Sequence, residues 1–267
     1  MKSLLKNSLQ SIYLRLKSKN LWEFFKLYIK YAHAPRYKFK KITFLNYSFE
    51  VPDSPSFLWQ FKDIFVDETY NFNTDLKNPV IYDCGANIGT SVLYFKKIYP
   101  KAKIKAFEAD PKIVKILKTN LVNNKITDVE INDKAVWIDD QGVEFSSQGA
   151  DGGSIMGNDK KIKIASVKLK DLIEKEEQVD LLKIDIEGTE IEIIEDCADI
   201  LKKVKNIFIE YHSWNNQNQK LQIILKTLND NNFRYYIQSL SNRKQPLINR
   251  GLDLPMDLQL NIFAYQI

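Results

Sequence analysis

Cysteine and histidine are nearly absent from this 267-residue chain, which has two of each. Cys84 and Cys197 form no pair motif, so they outline neither a disulfide framework nor a zinc site. A reduced, cytoplasmic compartment is the simplest fit, with Cys84 as a small packing residue rather than a nucleophile. The chain also lacks any run near the roughly 18 uninterrupted apolar residues that a membrane span needs. Lys2, Lys6, Arg15, Lys17 and Lys19 break up the stretch where a secretory apolar region would sit. No internal repeat or low-complexity tract is visible.

Acids are scarce at the start. Residues 1–41 hold eleven lysines and arginines against Glu23 alone, a net +10 in a chain whose total is +5. Trp22, Phe24, Phe25, Leu27, Tyr28, Ile29 and Tyr31 are interleaved with these cations. Such a mixture suits an anionic surface, either phospholipid or nucleic acid. It equally suits a helical cap whose apolar side packs on a core. Residues 42–51 read as extended, and 57–65 (FLWQFKDIF) as an aromatic helix. Phe57, Trp59, Phe61, Phe65, Tyr70 and Phe72 are therefore candidates either to face a substrate or to fill the core. Two regions are expected, a basic and aromatic cap over 1–78 and a catalytic domain over 79–267.

The chain is organised around Val80-Ile81-Tyr82-Asp83-Cys84-Gly85-Ala86-Asn87-Ile88-Gly89-Thr90. A short buried strand ends at Asp83, glycines bracket a turn, and Ser91–Ile98 carries apolar residues at helical spacing. This is how a nucleotide-binding α/β unit opens. Asn87 stands where a dinucleotide fold wants a second close glycine, so the expected ligand is a nucleoside without pyrophosphate. S-adenosylmethionine fits, with Asp83 receiving its ammonium group and the turn's N–H groups its carboxylate. Glu108 ends the next strand, about 20 residues on, where a ribose diol is held. Asp110 and Pro111 then open a helix as N-cap and first helical residue.

From Val80 onward strands and helices alternate, which predicts a mostly parallel sheet with helices on both faces. Strands are expected at 80–84, 103–108, 128–132, 180–185 and 206–211. Helices are expected at 89–98, 111–122, 168–176, 188–202 and 216–231. The interval 135–167 breaks this rhythm, with strand-like pieces at 143–145 and 161–167 around Gly149, Gly152, Gly153 and Gly157. It reads as a loop over the site or an edge hairpin. Residues 233–238 and 260–266 would close the sheet, the second antiparallel. Ligands in such sheets lie across the carboxyl ends of the strands. Asp83, Glu108, Asp185 with Glu187, and Glu210 with His212 are delivered there.

The stretches Asp83–Gly89, Phe107-Glu108-Ala109-Asp110-Pro111, Lys134-Ala135-Val136, Leu182-Lys183-Ile184-Asp185-Ile186-Glu187-Gly188-Thr189-Glu190 and Ile209-Glu210-Tyr211-His212 resemble the FkbM family of S-adenosylmethionine-dependent methyltransferases. The resemblance covers roughly residues 79–213. It implies a Rossmann-like, seven-stranded class I methyltransferase sheet and O-methyl transfer, often to a sugar or polyketide hydroxyl. It also implies a cofactor wall of Asp83, Gly85, Ala86, Asn87, Gly89, Glu108, Ala109, Ala135 and Asp185. Ala109 stands where the family commonly has proline. His212 is then the expected acceptor-side base, oriented by Asp185 and Glu210, with Glu187 and His212 against the acceptor.

The leading expectation is methylation of a hydroxyl on a saccharide or glycoconjugate by a cytoplasmic enzyme that rests weakly on the inner membrane face through residues 1–41. A variant places a divalent cation between Asp185 and Glu210, although no ligand spacing demands a metal. Nucleic-acid methylation suits the basic N-terminus, but Asp185-Ile186-Glu187-Gly188 replaces the Pro-Pro-aromatic string of amino-methylating enzymes, and acids repel phosphates. A nicotinamide-dependent dehydrogenase would want glycine at Asn87, and a non-catalytic binding module remains a further alternative.

Overall fold

Apolar residues at 24, 27 and 31 turn one side of the first described helix, α1 (Lys19–Tyr31), onto the core. The computed structural model describes residues 18–146, 161–215, 217–240, 243–250 and 254–267. An antiparallel hairpin follows, β1 (Lys40–Phe44) with β2 (Tyr47–Val51). Next comes α2 (Ser54–Phe61), which widens into a π-helical turn over Lys62–Val66. The aromatic stretch thus starts its helix three residues before the expected 57, and its last turn is loosened. Phe44 is the hub of this segment, with ring centroids of Phe49, Phe57, Phe61 and Phe65 between 5.2 and 5.9 Å away.

The alternating section contributes β3 (Val80–Cys84), α3 (Thr90–Ile98), β4 (Lys103–Phe107), α4 (Pro111–Asn123) and β5 (Val129–Asn132). Then come β6 (Ala135–Trp137), β7 (Val143–Ser146), β8 (Lys161–Ile164), β9 (Ser166–Lys168), α5 (Leu169–Ile173) and β10 (Val179–Ile184). The chain continues through α6 (Glu190–Asp196), a 3₁₀ turn over Ala198–Lys203, β11 (Val204–Trp214), α7 (Leu221–Asp230), β12 (Phe233–Ser239) and β13 (Met256–Gln266). Seven strands form one sheet in the order β12-β13-β11-β10-β3-β4-β5. β13 runs antiparallel to both of its neighbours and the rest are parallel. This is the class I methyltransferase sheet. The expected excursion becomes two small pairs, β6 with β9 and β7 with β8. Its four glycines lie outside the described residues.

Alternation along the central strands divides the core between the two sheet faces. Ile81, Leu181 and Phe208 point to one side, and Tyr82, Leu182 and Ile207 to the other. All six residues of β10 are buried, as a central parallel strand requires. The first face is covered by α3, α4 and the described part of the N-terminal segment, so the cap and the sheet share a continuous core. Asn120 fastens them: its amide donates to the Glu50 carbonyl (3.0 Å) and its oxygen accepts the Glu50 N–H (2.6 Å). No helix among the described residues is long and apolar enough to cross a membrane.

The strand order reverses between β3 and β10, which opens a crevice at their carboxyl ends. The two backbones meet there. A Cβ on Gly85, which sits at φ +87°, would stand 1.8 Å from the Asp185 carbonyl oxygen, so only glycine lets the turn leave the sheet here.

Candidate active site

A cavity of about 730 Å³ lies over this reversal point. One half is bounded by the turn after β3 and by the ends of β4 and β6: Gly85, Ala86, Asn87, Glu108, Ala109 and Ala135 all line it. Its walls are small or apolar, and the half-buried Glu108 stands among them with each carboxylate oxygen already accepting an N–H. Oε2 takes that of Asn87 and Oε1 that of Asp110, both at 2.9 Å. Burial pushes the Glu108 carboxyl up to about 7, against the pull of these two N–H groups. Thr189, also on the wall, has a buried hydroxyl with no partner among the described residues. Apolar walls, an unfilled hydroxyl and a carboxylate able to receive further donors are the chemistry that an adenosyl group asks for.

The turn itself differs from expectation. Asn87 adopts φ +48°, a left-handed conformation that asparagine tolerates. Its N–H groups are already engaged: Gly85 and Ala86 donate to the Phe107 carbonyl, Asn87 to Glu108, Ile88 to the Asn87 side chain and Gly89 to Ala86. The expectation that they meet a ligand carboxylate fails, because the turn spends them on its own geometry and its docking to β4. Asp83 and Gly89 stand behind the turn, off the cavity wall. Asp83 is fully buried, accepts the Ser91 hydroxyl (2.5 Å) and lies 3.1 Å from the Lys183 ammonium. Its expected contact with a ligand ammonium is therefore occupied by Lys183. Cys84 is buried and unbonded, its thiol raised by burial and by Asp83, as a packing residue should be.

Lys183 is the residue that the sequence reading passed over. It faces Asp83 across the β3–β10 register, lies 3.4 Å from Asp185, donates to the Gly85 carbonyl (2.9 Å) and sits over the Tyr70 ring (5.5 Å). Burial works against its charge, but Asp83 and then Asp185 outweigh it, and Lys183 is held well above its usual value. The signal was a lone lysine, two residues before Asp185, in a buried strand whose other charged residue is Asp180.

Three acids line the middle of the cavity, Asp185, Glu187 and Glu210. Burial, then repulsion from Glu210, lifts Asp185 to about 6 against Lys183 and His212. Burial lifts Glu187 to about 8, opposed by His212. Glu187 also holds φ +61°, a strained conformation for a residue with a long side chain. His212 itself does not reach the wall. β11 runs on to Trp214 because β13 pairs with it as far as Met256, so His212 lies within the strand, buried. Its Nδ1 is 3.1 Å from Glu190 Oε1, and its Nε2 faces Glu210 (3.5 Å) and Glu187 (3.6 Å). Burial disfavours the imidazolium, yet Glu190, Glu210 and Glu187 together raise its pKa well above the ordinary value. Glu190 Oε1 also accepts the Gly188 N–H (2.8 Å), tying the strained turn to the imidazole. Asp185, Glu187 and His212 bring one ligand atom each within 4.8 Å of one another, a spacing a divalent cation would fit.

Residues 83–235 match the methyltransferase FkbM domain, more than half of the chain. The chain belongs to the FkbM methyltransferase family. It is a methyltransferase that uses S-adenosylmethionine. Methyltransferase sdnD of Sordaria araneosa is 27% identical over 193 residues, 56% of this chain and 73% of sdnD. The 2-O-methyltransferase NoeI of Sinorhizobium fredii (strain NBRC 101917 / NGR234) is 28% identical over 159 residues, 50% of this chain and 63% of NoeI. The crystal structure of methyltransferase FkbM from Methylobacillus flagellatus KT superposes with a TM-score of 0.46 at 16% identity, covering 74% of this chain and 46% of that one.

The other half of this FkbM-family cavity is built from segments with no counterpart among the motifs. Trp59, Lys62, Asp63 and Tyr70 come from the N-terminal segment, and Gln238, Gln259 and Asn261 from the last two strands. Of the six aromatics considered for a substrate face, Trp59 and Tyr70 reach the cavity, while Phe57, Phe61, Phe65 and Phe72 fill the core. Gln238, Asn261 and Glu210 are register partners across three adjacent strands and form one polar row. Asn261 is buried, and its Oδ1 has no hydrogen-bond partner among the described residues. Sequence reasoning missed this row, since an amide in an antiparallel strand means nothing until the register is known.

Proposed function

We propose that this enzyme transfers a methyl group to a hydroxyl of a saccharide or glycoconjugate. The observation that carries the reading is the polar row Gln238–Asn261–Glu210 lining the same cavity as the half-exposed Trp59. Amides give and take hydrogen bonds with vicinal hydroxyls and carboxylates accept them, and a buried amide oxygen without a partner asks for such a donor. An indole at the mouth offers the flat apolar face against which a sugar ring packs. Acids at Asp63, Asp185, Glu187 and Glu210 disfavour a phosphate-rich acceptor, which argues against nucleic acid. The name of NoeI, a 2-O-methyltransferase, agrees with a hydroxyl acceptor. In this reading residues 1–78 are a cap that completes the acceptor wall, and 79–267 carry the cofactor site.

S-adenosylmethionine, when bound, supplies a methyl group already activated for in-line displacement, so most of the acceleration comes from positioning. Gly85, Ala86, Asn87, Ala109 and Ala135 would form its wall, with Glu108 accepting from the ribose. Asp83 and Gly89 support that wall from behind. The acceptor hydroxyl must lose a proton as its oxygen bonds to the methyl carbon. A base is most effective when its pKa lies near the working pH, and burial has brought Asp185 and Glu187 into that range. One of these two carboxylates receives the proton. His212, positively charged behind Glu187 and Glu210, acts through them as a positioning residue and balances their charge.

The test is a methyl-transfer assay with isotopically labelled S-adenosylmethionine and a panel of saccharides, glycolipids, phenols and RNA. Label in an O-methyl sugar is expected. In an accepted reaction, Asn261→Ala should raise the acceptor KM at least tenfold and leave cofactor affinity unchanged. Transfer to phenols or RNA with every saccharide refused would overturn the reading.

A further inference from the structure

Helix α1 is apolar on two opposite sides. Phe24, Leu27 and Tyr31 are buried against the core, as one face of an amphipathic helix should be. Trp22, Phe25 and Ile29, spaced three and four residues apart, form a second stripe that remains 56%, 44% and 87% exposed. Lys26 and Lys30 border it, four residues apart on the same exposed side. Aliphatic and aromatic surface of this kind is not needed for folding, and monomeric proteins seldom display it in one patch.

The buried ring of Phe24 links the patch to the cavity wall. Ring centroids step from Trp22 to Phe25 (6.0 Å), from Phe25 to Phe24 (6.0 Å) and from Phe24 to Trp59 (6.3 Å). Trp59 is 52% exposed and belongs to the cavity wall. The surroundings are cationic: residues 18–41 contain seven lysines and arginines, and their one acid, Glu23, is already paired with Lys26 (3.3 Å). Aromatic and aliphatic side chains flanked by lysines are what a helix lying in a bilayer interface presents. The apolar stripe enters the acyl boundary and the cations meet anionic headgroups. A nucleic acid would use the lysines and leave Ile29 and Phe25 in water.

We propose that the exposed stripe of α1 docks the enzyme on an anionic lipid bilayer, with Trp59 and the cavity mouth at the membrane edge. An acceptor anchored in that bilayer would then reach the site without leaving the surface. The docking does not depend on the acceptor being a saccharide, so its test needs no acceptor.

The full chain is floated on a density gradient with vesicles of phosphatidylcholine alone or mixed with phosphatidylglycerol. Flotation is expected only with the anionic vesicles and should fall as salt is raised. Trp22→Ala/Phe25→Ala/Ile29→Ala should lose most of the bound fraction. Lys26→Glu/Lys30→Glu should lower partitioning on the order of fivefold or more per residue. Both variants leave the cavity intact and should keep the thermal shift with S-adenosylmethionine. Equal recovery on neutral and anionic vesicles overturns the proposal, as does wild-type flotation of the triple variant. Retention on immobilised RNA with no flotation would also overturn it, in favour of a nucleic-acid surface.

Discussion

Replacing Glu108 by glutamine should weaken S-adenosylmethionine binding by roughly 10- to 150-fold at pH 8. The carboxylate uses one oxygen for the Asn87 N–H and the other for the Asp110 N–H, each at 2.9 Å. Glutamine offers a single acceptor oxygen, so its NH₂ must face one of these N–H groups. The charge that strengthens a ribose hydroxyl's hydrogen bond is lost as well. A hydrogen bond to a charged group contributes about 1.5–3 kcal/mol, and about 1.4 kcal/mol is a factor of ten in affinity. The sign of the pH effect follows from burial. Burial holds the Glu108 carboxyl at about 7 rather than 4.5, so the free protein prefers it protonated. The corresponding stability is fully present below about 4.5 and is lost as pH rises through about 7. Ribose hydroxyls need the ionised form, so affinity should run the other way, rising through about 7 and falling roughly tenfold from pH 8 to pH 6. Calorimetric titration of both proteins across that range is the assay. The ligand's own amino group titrates in either case, so the difference between the two curves isolates Glu108. A wild-type curve parallel to that of the folded variant, or an unchanged Kd at pH 8, would refute the reasoning.

Three further outcomes are expected. Lys183→Met leaves Asp83 fully buried without its cation, and urea denaturation should show a loss of about 3–5 kcal/mol, partly restored by adding Asp83→Asn. Gly85→Ala forces a Cβ against the Asp185 carbonyl and a left-handed φ on alanine, so it should cost more than about 2 kcal/mol and abolish the thermal shift with S-adenosylmethionine. Wild-type kcat should rise with pH as Asp185 (about 6) and Glu187 (about 8) ionise. His212→Ala should move that rise to higher pH, because the imidazolium that favours both carboxylates is gone, whereas a profile lowered in height but unmoved along the pH axis would assign His212 a purely structural role.

Where local pattern and packing agree, the sequence was sufficient. The expected strands at 80–84 and 103–108 are found as Val80–Cys84 and Lys103–Phe107, since each carries its own hydrophobic run and terminal acid. The expected helix at 188–202 divides into Glu190–Asp196 and a 3₁₀ turn, because Glu187 and Gly188 take positive φ and delay its start. His212 shows where local reading stops. Its strand was expected to end at 211, leaving the imidazole free in the crevice. Pairing with β13, more than forty residues later, extends the strand to Trp214 and buries the ring. The same pairing makes Gln259 and Asn261 part of the site. Contacts that depend on the register of distant antiparallel strands leave no mark on the residues that make them.

The placement of the two buried cations decides what the acids can do. Asp185, Glu187 and Glu210 all line the cavity, and without counter-charge burial and then mutual repulsion would favour their protonated forms. A protonated carboxyl cannot take the proton of a hydroxyl. Lys183, itself on the cavity wall, stands 3.4 Å from Asp185, and His212, buried behind the wall, stands 3.5–3.6 Å from Glu210 and Glu187. From there they lower the acids' proton affinity, His212 without reaching the cavity. Lys183 is shared with Asp83 and the Gly85 carbonyl, and His212 with Glu190, so neither cation is given wholly to the cavity acids. A cation given to one acid alone would drop that carboxylate toward its ordinary value and remove the base. Burial and held-back positive charge therefore have to be set together, which is why the second motif carries a lysine, two acids and a helix-initiating glutamate within eight residues.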